Sequence, residues 1–271
     1  MRSLKLCLLS AAILVGCSSA QTPKTTSAPI VSKTCDVGIY GSAKPDDFLV
    51  ITRRGDDVRY TFSDGRRGKV GEINLVQCVE GNVRIDTGET WARKPINVTD
   101  TRFEADNATL AGQLLEPLDA GPETPLVIIA HGSEELGWIG AVPDLYQLVG
   151  RDVSVFVYDK RGTGLSTGQY SQNFPELADD LVAASEEAKR VAEGRFGRFG
   201  LFGLSQGGWI APLAAQRSGA DFVGIGYGLV VDILEEDAAQ VELELTEKGM
   251  SDEIIAIGKQ ITDVTGRLAV S

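Results

Sequence analysis

Residues 203–208 read Gly-Leu-Ser-Gln-Gly-Gly and place Ser205 in a G-x-S-x-G pattern. Such a pattern typically forms a tight turn between a buried strand and a helix, which exposes the serine hydroxyl. Gly203 and Gly207 are expected there because side chains at these positions would collide across the turn. Ser205 is therefore a candidate nucleophile for acyl transfer, and the alternative is a glycine-rich joint without activity.

A second segment, Ile-Ile-Ala-His-Gly-Ser at residues 128–133, supplies small residues after a predicted strand. A loop in this position lets backbone N–H groups approach a developing oxyanion closely. We predict that the N–H groups of Ser133 and Gln206 form an oxyanion hole beside Ser205. The alternative is a plain turn.

A serine nucleophile needs a proton acceptor, and the only histidine of the chain, His131, precedes Ser205. Residues 206–271 contain acids but no histidine. The acids Asp232, Glu235, Glu236 and Asp237 are predicted to lie on the solvated faces of helices. The sequence therefore predicts little or no turnover by these 271 residues.

The elements around these segments alternate between strand and helix. Continuous apolar runs at "PLVIIAHG", "VSVFVYD" and "RFGLFGLS" predict buried strands, and "FVGIGYG" predicts a fourth strand. Helices are predicted at "VPDLYQLVG", "PELADDLVAASEEAKRVAEG" and "QGGWIAPLAAQRSG". This alternation indicates an α/β fold with a parallel sheet that has helices on both faces. Two acidic helices, expected at about 230–265 and separated at Gly249, follow the last strand.

The glycine-rich stretch "DKRGTGLSTG" at 159–168 has some features of a dinucleotide-binding loop. Its glycine spacing differs from that motif, and no helix begins at once to receive a pyrophosphate. We therefore predict a rigid loop near the mouth of the site, with Arg161 as a structural ion-pair partner. No cofactor is expected, and no metal site is visible in the sequence.

Taken in this order, "HGS", "VYDKRGTGLSTG" and "GLSQGG" resemble bacterial α/β-hydrolase esterases of the EstD-like kind, which are related to serine aminopeptidase-like hydrolases. The resemblance covers about residues 100–271. It implies an α/β-hydrolase domain at 96–271 that hydrolyses carboxylic esters through an acyl-enzyme, with a helical cap after the sixth strand. It also implies that the His131 imidazole packs beneath the oxyanion loop and does not face the serine.

That resemblance further implies two more strands, which carry the acidic residue and the histidine of the triad. Neither strand is recognisable before residue 271. The expectation is therefore a C-terminally truncated hydrolase, with an incomplete sheet whose last predicted strand has an unpaired edge. Two alternatives remain open: a non-catalytic envelope lipoprotein on a hydrolase scaffold, and a serine peptidase or amidase.

At the N-terminus, Arg2 and Lys5 precede a short apolar run that ends in Leu-Val-Gly-Cys. This tetrad resembles a bacterial lipobox, which implies a signal peptide at 1–16 and a lipid on Cys17. Ser18 and Ser19, and not aspartate, follow the cysteine. By the same resemblance, this favours a location of the protein at the outer membrane, facing the periplasm. The alternatives are an ordinary secretory signal and an uncleaved anchor. A Ser-, Thr- and Pro-rich tether is predicted at 17–33.

Residues 34–95 contain short strand-like segments, among them "DFLVITRR", "DVRYTFSD" and "NVRIDTG", which predict a small β domain. Cys35 and Cys78 remain as an even pair in an exported protein, so we predict that they form a disulfide. The alternative is two buried free thiols.

The net charge is −12 for the whole chain, and loss of Arg2 and Lys5 with the leader makes it −14. An acidic chain without a basic run is a poor nucleic-acid binder. The expected partners are a small-molecule ester and, through the lipid, a membrane.

Overall fold

The computed structural model describes residues 31–32, 35–72, 75–228 and 231–269. The predicted signal peptide, the predicted lipidation site Cys17 and most of the predicted tether lie outside the described residues. Within the described ranges, no helix is both long and apolar enough to cross a bilayer.

The N-terminal part forms an antiparallel eight-stranded sheet in the order β1-β6-β7-β8-β2-β3-β4-β5. Its strands are β1 (Val31–Ser32), β2 (Gly38–Gly41), β3 (Phe48–Arg54), β4 (Asp57–Phe62), β5 (Arg67–Lys69), β6 (Val76–Val79), β7 (Asn82–Ile85) and β8 (Thr90–Lys94). The three segments quoted from the sequence correspond to β3, β4 and β7. The sheet begins inside the predicted tether, because Ser32 of β1 pairs with Cys78 of β6.

Cys35 and Cys78 form the predicted disulfide, with Cα atoms 5.3 Å apart. Both residues are buried in a cluster with Tyr40, Leu49 and Val83. The bond joins the segment before β2 to β6, so it ties the two halves of the β sheet together inside their own core.

A second sheet of six strands has the order β14-β13-β11-β12-β10-β9. Its strands are β9 (Asn97–Ala105), β10 (Ala108–Glu116), β11 (Leu126–Ala130), β12 (Ser154–Tyr158), β13 (Phe199–Leu204) and β14 (Phe222–Gly226). The pairs β12–β11, β11–β13 and β13–β14 are parallel, whereas β10 runs antiparallel to both β9 and β12. The four predicted strands are present and parallel to one another. The sheet as a whole is mixed and not parallel as predicted, because the β9–β10 hairpin around Asn107 adds β10 antiparallel to β12.

Five helices accompany this sheet: α1 (Pro143–Val149), α2 (Phe174–Val191), α3 (Gly207–Ser218), α4 (Ile233–Glu247) and α5 (Asp252–Ala269). The apolar faces of α2 and α3 pack on one side of the sheet with Leu126, Ile128 and Leu201. Helix α1 covers the opposite side. Helices on both faces leave the strands buried, which explains their continuous apolar sequences.

The β sheet of the N-terminal part packs on the same side as α1. Ile39, Phe48 and Val50 belong to one buried cluster with Val127 and Leu145. The two units therefore share a hydrophobic core, although the sequence predicted them as separate domains.

Helices α4 and α5 form a hairpin after β14, as expected for the two acidic helices. Gly249, at φ 68°, provides the left-handed turn after α4. No described strand pairs with the outer edge of β14, where Val223 and Ile225 are each 38% exposed.

Candidate active site

Ser205 lies on the turn between β13, which ends at Leu204, and α3, which begins at Gly207. Its φ of 52° is in the left-handed region, which residues other than glycine seldom adopt. Its N–H donates to the Gly226 carbonyl at 3.1 Å, and its own carbonyl accepts from Gly208 N–H at 2.7 Å. The neighbouring strand and the helix therefore hold a strained turn that leaves the residue exposed.

Different neighbouring atoms exclude a side chain at Gly203 and at Gly207. A β-carbon on Gly203 would overlap the carbonyl of Gly207, which is the collision across the turn that we predicted. A β-carbon on Gly207 would instead overlap the carbonyl of Ala130, at the end of β11. The prediction for Gly207 is thus wrong in its partner, because the second glycine lets the turn pack against the neighbouring strand.

This packing brings the loop at 131–133 next to the serine turn. Ser133 is exposed, and Gln206 is buried at the N-cap position of α3. Neither backbone N–H donates to another group in the described part of the chain. Both predicted oxyanion donors are therefore unengaged, and the helix dipole of α3 adds positive potential at Gln206.

Side chains from a third segment link the loop to the turn. Gln206 Nε2 donates to Gln172 Oε1, and Gln172 Nε2 donates to the Ser133 carbonyl at 3.3 Å. The Tyr170 hydroxyl donates to the same carbonyl at 2.5 Å. Tyr170 and Gln172, which no sequence motif marks, thus connect the two residues that carry the candidate oxyanion donors.

The ring of His131 is buried and stacks on Trp138 with ring centroids 4.6 Å apart. Its Nε2 lies 3.0 Å from the Tyr158 carbonyl and therefore carries the hydrogen, while Nδ1 has no partner among the described residues. Burial, and then the charge of Lys160, lower its pKa to about 3. His131 is thus a neutral, enclosed ring, as the resemblance implied, and its geometry does not suit a base for Ser205.

The acids after the serine take the positions expected of a solvated helix start. Asp232 caps α4, because its Oδ1 accepts from Leu234 N–H at 2.9 Å, and Glu235 and Asp237 are exposed. Glu236 differs, since its Oε2 is buried without a partner among the described residues.

Several hydrogen bonds hold the loop that begins at Asp159. The buried Asp159 carboxylate accepts from the N–H groups of Trp138 at 2.7 Å, Ile139 at 3.2 Å and Leu165 at 2.8 Å. One carboxylate therefore joins this loop to the segment after Ser133.

Arg161 takes the predicted structural position. It forms a two-bond ion pair with the buried Asp180, at 2.8 and 2.6 Å, and a further contact with Glu176. The described residues contain no cluster of His, Cys, Asp and Glu side chains suited to a metal ion.

Comparison with known proteins supports the fold. Residues 121–226, less than half of the chain, match the model of a hydrolase family described as serine aminopeptidase, S33. That segment contains β11 to β14 together with Ser133 and Ser205. No curated protein matches the chain.

Three solved structures illustrate the similarity. An esterase of Pyrococcus furiosus, Pf2001, is 18% identical with a TM-score of 0.44 over 62% of this chain and 61% of that one. The α/β hydrolase GrgF from Penicillium sp. sh18 is 23% identical with a TM-score of 0.42 over 56% and 53%. Brefeldin A esterase, a bacterial homologue of human hormone-sensitive lipase, is 20% identical with a TM-score of 0.40 over 48% and 39%.

The alignments thus span about half the length of these solved proteins. The matched family and the arrangement of the second sheet together show that the chain has an α/β-hydrolase fold, preceded by an antiparallel β sheet.

Proposed function

We propose that this protein is a serine hydrolase that acts on carboxylic esters, with Ser205 as the nucleophile. The observation that carries the proposal is the strained, exposed Ser205 on a strand–helix turn packed against the loop at 131–133. Attack by Oγ on an ester carbonyl forms a tetrahedral oxyanion, which the N–H groups of Ser133 and Gln206 stabilise. Collapse of this intermediate expels the alcohol and leaves an acyl-enzyme, which water then hydrolyses.

The proton of Ser205 needs an acceptor, and no side chain of the described residues forms a hydrogen bond with its Oγ. His131 is neutral and directed to the Tyr158 carbonyl. We therefore propose that the 271 residues retain the nucleophile and the oxyanion donors but turn over slowly. Removal of one triad member leaves only the contribution of the oxyanion hole and of substrate binding.

A fluorophosphonate probe tests the nucleophile without the need for turnover, because Ser205 Oγ has to displace fluoride from phosphorus only once and the product is stable. A prolonged incubation lets water or buffer accept the serine proton in place of a triad base. We expect labelling of the wild-type protein and none of Ser205→Ala. The matched control is Ser251→Ala, which removes an exposed serine between α4 and α5, away from the turn that carries Ser205. Labelling that persists in Ser205→Ala and maps to another residue refutes the assignment.

The second candidate is a serine peptidase or amidase, since the matched family is described as serine aminopeptidase. Both reactions use the same nucleophile and the same oxyanion donors. p-Nitrophenyl acetate is an ester and an aminoacyl p-nitroanilide is an amide, and each releases a coloured nitroaromatic product. The rates of colour formation from the two substrates therefore distinguish esterase from amidase activity. Cleavage of the anilide but not of the ester favours the peptidase.

We also propose that the chain is lipid-anchored in a bacterial envelope through Cys17, on the strength of its leader sequence. Two or more acyl chains give stable anchoring because each buried methylene contributes about 0.8 kcal/mol. Expression with radiolabelled palmitate in a Gram-negative host tests this. Incorporation that is unchanged in Cys17→Ala contradicts it.

A further inference from the structure

A buried lysine contacts the candidate oxyanion loop from behind. Lys160 Nζ donates to the Gly132 carbonyl at 2.7 Å, and Lys160 is only 2% exposed. The carbonyl of Gly132 and the N–H of Ser133 belong to the same planar peptide unit and point in opposite directions. A donor that fixes this carbonyl therefore also fixes the direction of the Ser133 N–H.

The charge of Lys160 has little to neutralise it. In the described ranges Nζ forms its hydrogen bond with the Gly132 carbonyl and no ion pair with a carboxylate, and it lies 5.1 Å from the centroid of the Tyr170 ring. Burial lowers the pKa of Lys160, and the carboxylates of Glu134 and Glu135 act in the opposite direction. His131, the remaining titratable neighbour, is neutral. A cation in this poorly solvated position polarises the peptide it contacts, which makes the N–H at the other end a stronger donor.

We propose that Lys160 is a positioning residue that orients and polarises the Gly132–Ser133 peptide, so that the Ser133 N–H stabilises the oxyanion. This inference rests on the proposed function, since it presumes that Ser133 N–H is an oxyanion donor. Tyr170 holds the next peptide of the same loop, because its hydroxyl donates to the Ser133 carbonyl.

The test compares the second-order rate constant of Ser205 labelling by a fluorophosphonate, which also develops a negative oxygen in the oxyanion hole. Lys160→Met should lower this rate constant by about tenfold or more. The decrease should stay below about 100-fold, the effect typical of losing an oxyanion donor outright. Lys160→Arg retains a donor and a charge and should recover most of the rate.

Lys189 provides a matched control, because its Nζ donates to the Ser218 carbonyl at 2.9 Å and lies 5.2 Å from the Phe199 ring. Lys189→Met therefore removes the same kind of contact away from the site, and its labelling rate should stay at the wild-type value.

Two further readouts separate positioning from a loss of structure. The rate should fall at alkaline pH as Lys160 loses its proton, relative to Lys160→Arg, and the Ser133 amide NMR resonance should move in Lys160→Met but not in Lys189→Met.

The outcomes separate the inference from the function it rests on. Equal labelling of wild type and Ser205→Ala refutes the proposed function. Labelling confined to Ser205 but equally fast in Lys160→Met overturns the inference alone. If the wild type does not label, the amide resonance still decides: a Ser133 signal that is unchanged in Lys160→Met overturns the inference.

Discussion

The carbonyl oxygen of Ala130 occupies the space that a β-carbon on Gly207 would need. This contact joins the end of β11 to the start of α3, and it sets the distance between the candidate oxyanion loop and the serine turn.

Gly207→Ala should therefore separate the two segments. We expect a loss of about 1–3 kcal/mol in the free energy of unfolding, as for other overpacked sites, together with slower labelling of Ser205. Urea denaturation and probe kinetics measure the two effects. In the control, Gly121→Ala, the nearest atom is 3.8 Å from the new β-carbon, so stability should change by less than about 0.5 kcal/mol. Equal stability of the two variants contradicts the packing described for Gly207.

The Arg161–Asp180 pair should be a major stabilising contact of the 159–168 loop. Arg161→Met leaves the Asp180 carboxylate buried without its partner, and such a loss costs about 3–5 kcal/mol. Thermal and urea unfolding measure this cost. Arg267→Met breaks an exposed pair with Asp263 and should cost at most about 0.5 kcal/mol. A small effect at Arg161 indicates that the pair is dispensable.

The disulfide should stabilise the β sheet of the N-terminal part. It closes a loop with a sequence separation of 43 residues, for which chain entropy gives about 4 kcal/mol. A reducing agent should lower the melting temperature of the wild-type protein. It should have no effect on a Cys35→Ala/Cys78→Ala variant, whose melting temperature is already low. A wild-type protein that melts identically with and without reductant does not depend on this bond.

His131 should make stability fall in mild acid. Its pKa is about 3 in the folded protein and about 6.5 when unfolded, so the unfolded state binds the extra proton. The contribution is complete above about pH 6.5 and is lost as pH falls toward 3. Between pH 7 and pH 5, the free energy of unfolding of the wild type should fall by about 2 kcal/mol more than that of His131→Asn. Urea denaturation at the two pH values measures this difference. Because the chain has one histidine, NMR reports its titration directly. A ring that protonates near pH 6.5 in the folded protein contradicts the burial described here.

The α/β part of the fold was predictable because its strands are continuous apolar runs. Burial on both faces leaves few other choices at β11, β12 and β13. Other strands carried no such signal: β5 is the polar tripeptide Arg67–Lys69 and is paired only through β4. The sequence also did not predict that the two units share one core, because a hydrophobic pattern indicates that a face is buried but not which element packs against it.

The candidate site was predictable as far as backbone geometry determines it. Ser205, Ser133 and Gln206 were predicted from motifs and their flanking elements, and the structure places them on one strand–helix turn and the loop beside it. The Lys160, Tyr170 and Gln172 contacts were missed, because they depend on how three loops meet at the end of the sheet. The lysine in "DKRG" was the one available signal, since a cation directly after a buried strand has to be solvated or paired.

The most direct test of the account is the site of covalent modification by a fluorophosphonate. Tryptic digestion and tandem mass spectrometry should place the added phosphonyl group on Ser205, and Ser205→Ala should remain unmodified while Ser251→Ala labels like the wild type. A phosphonyl group found on another serine, with Ser205 unmodified, contradicts the claim that this turn carries the nucleophile.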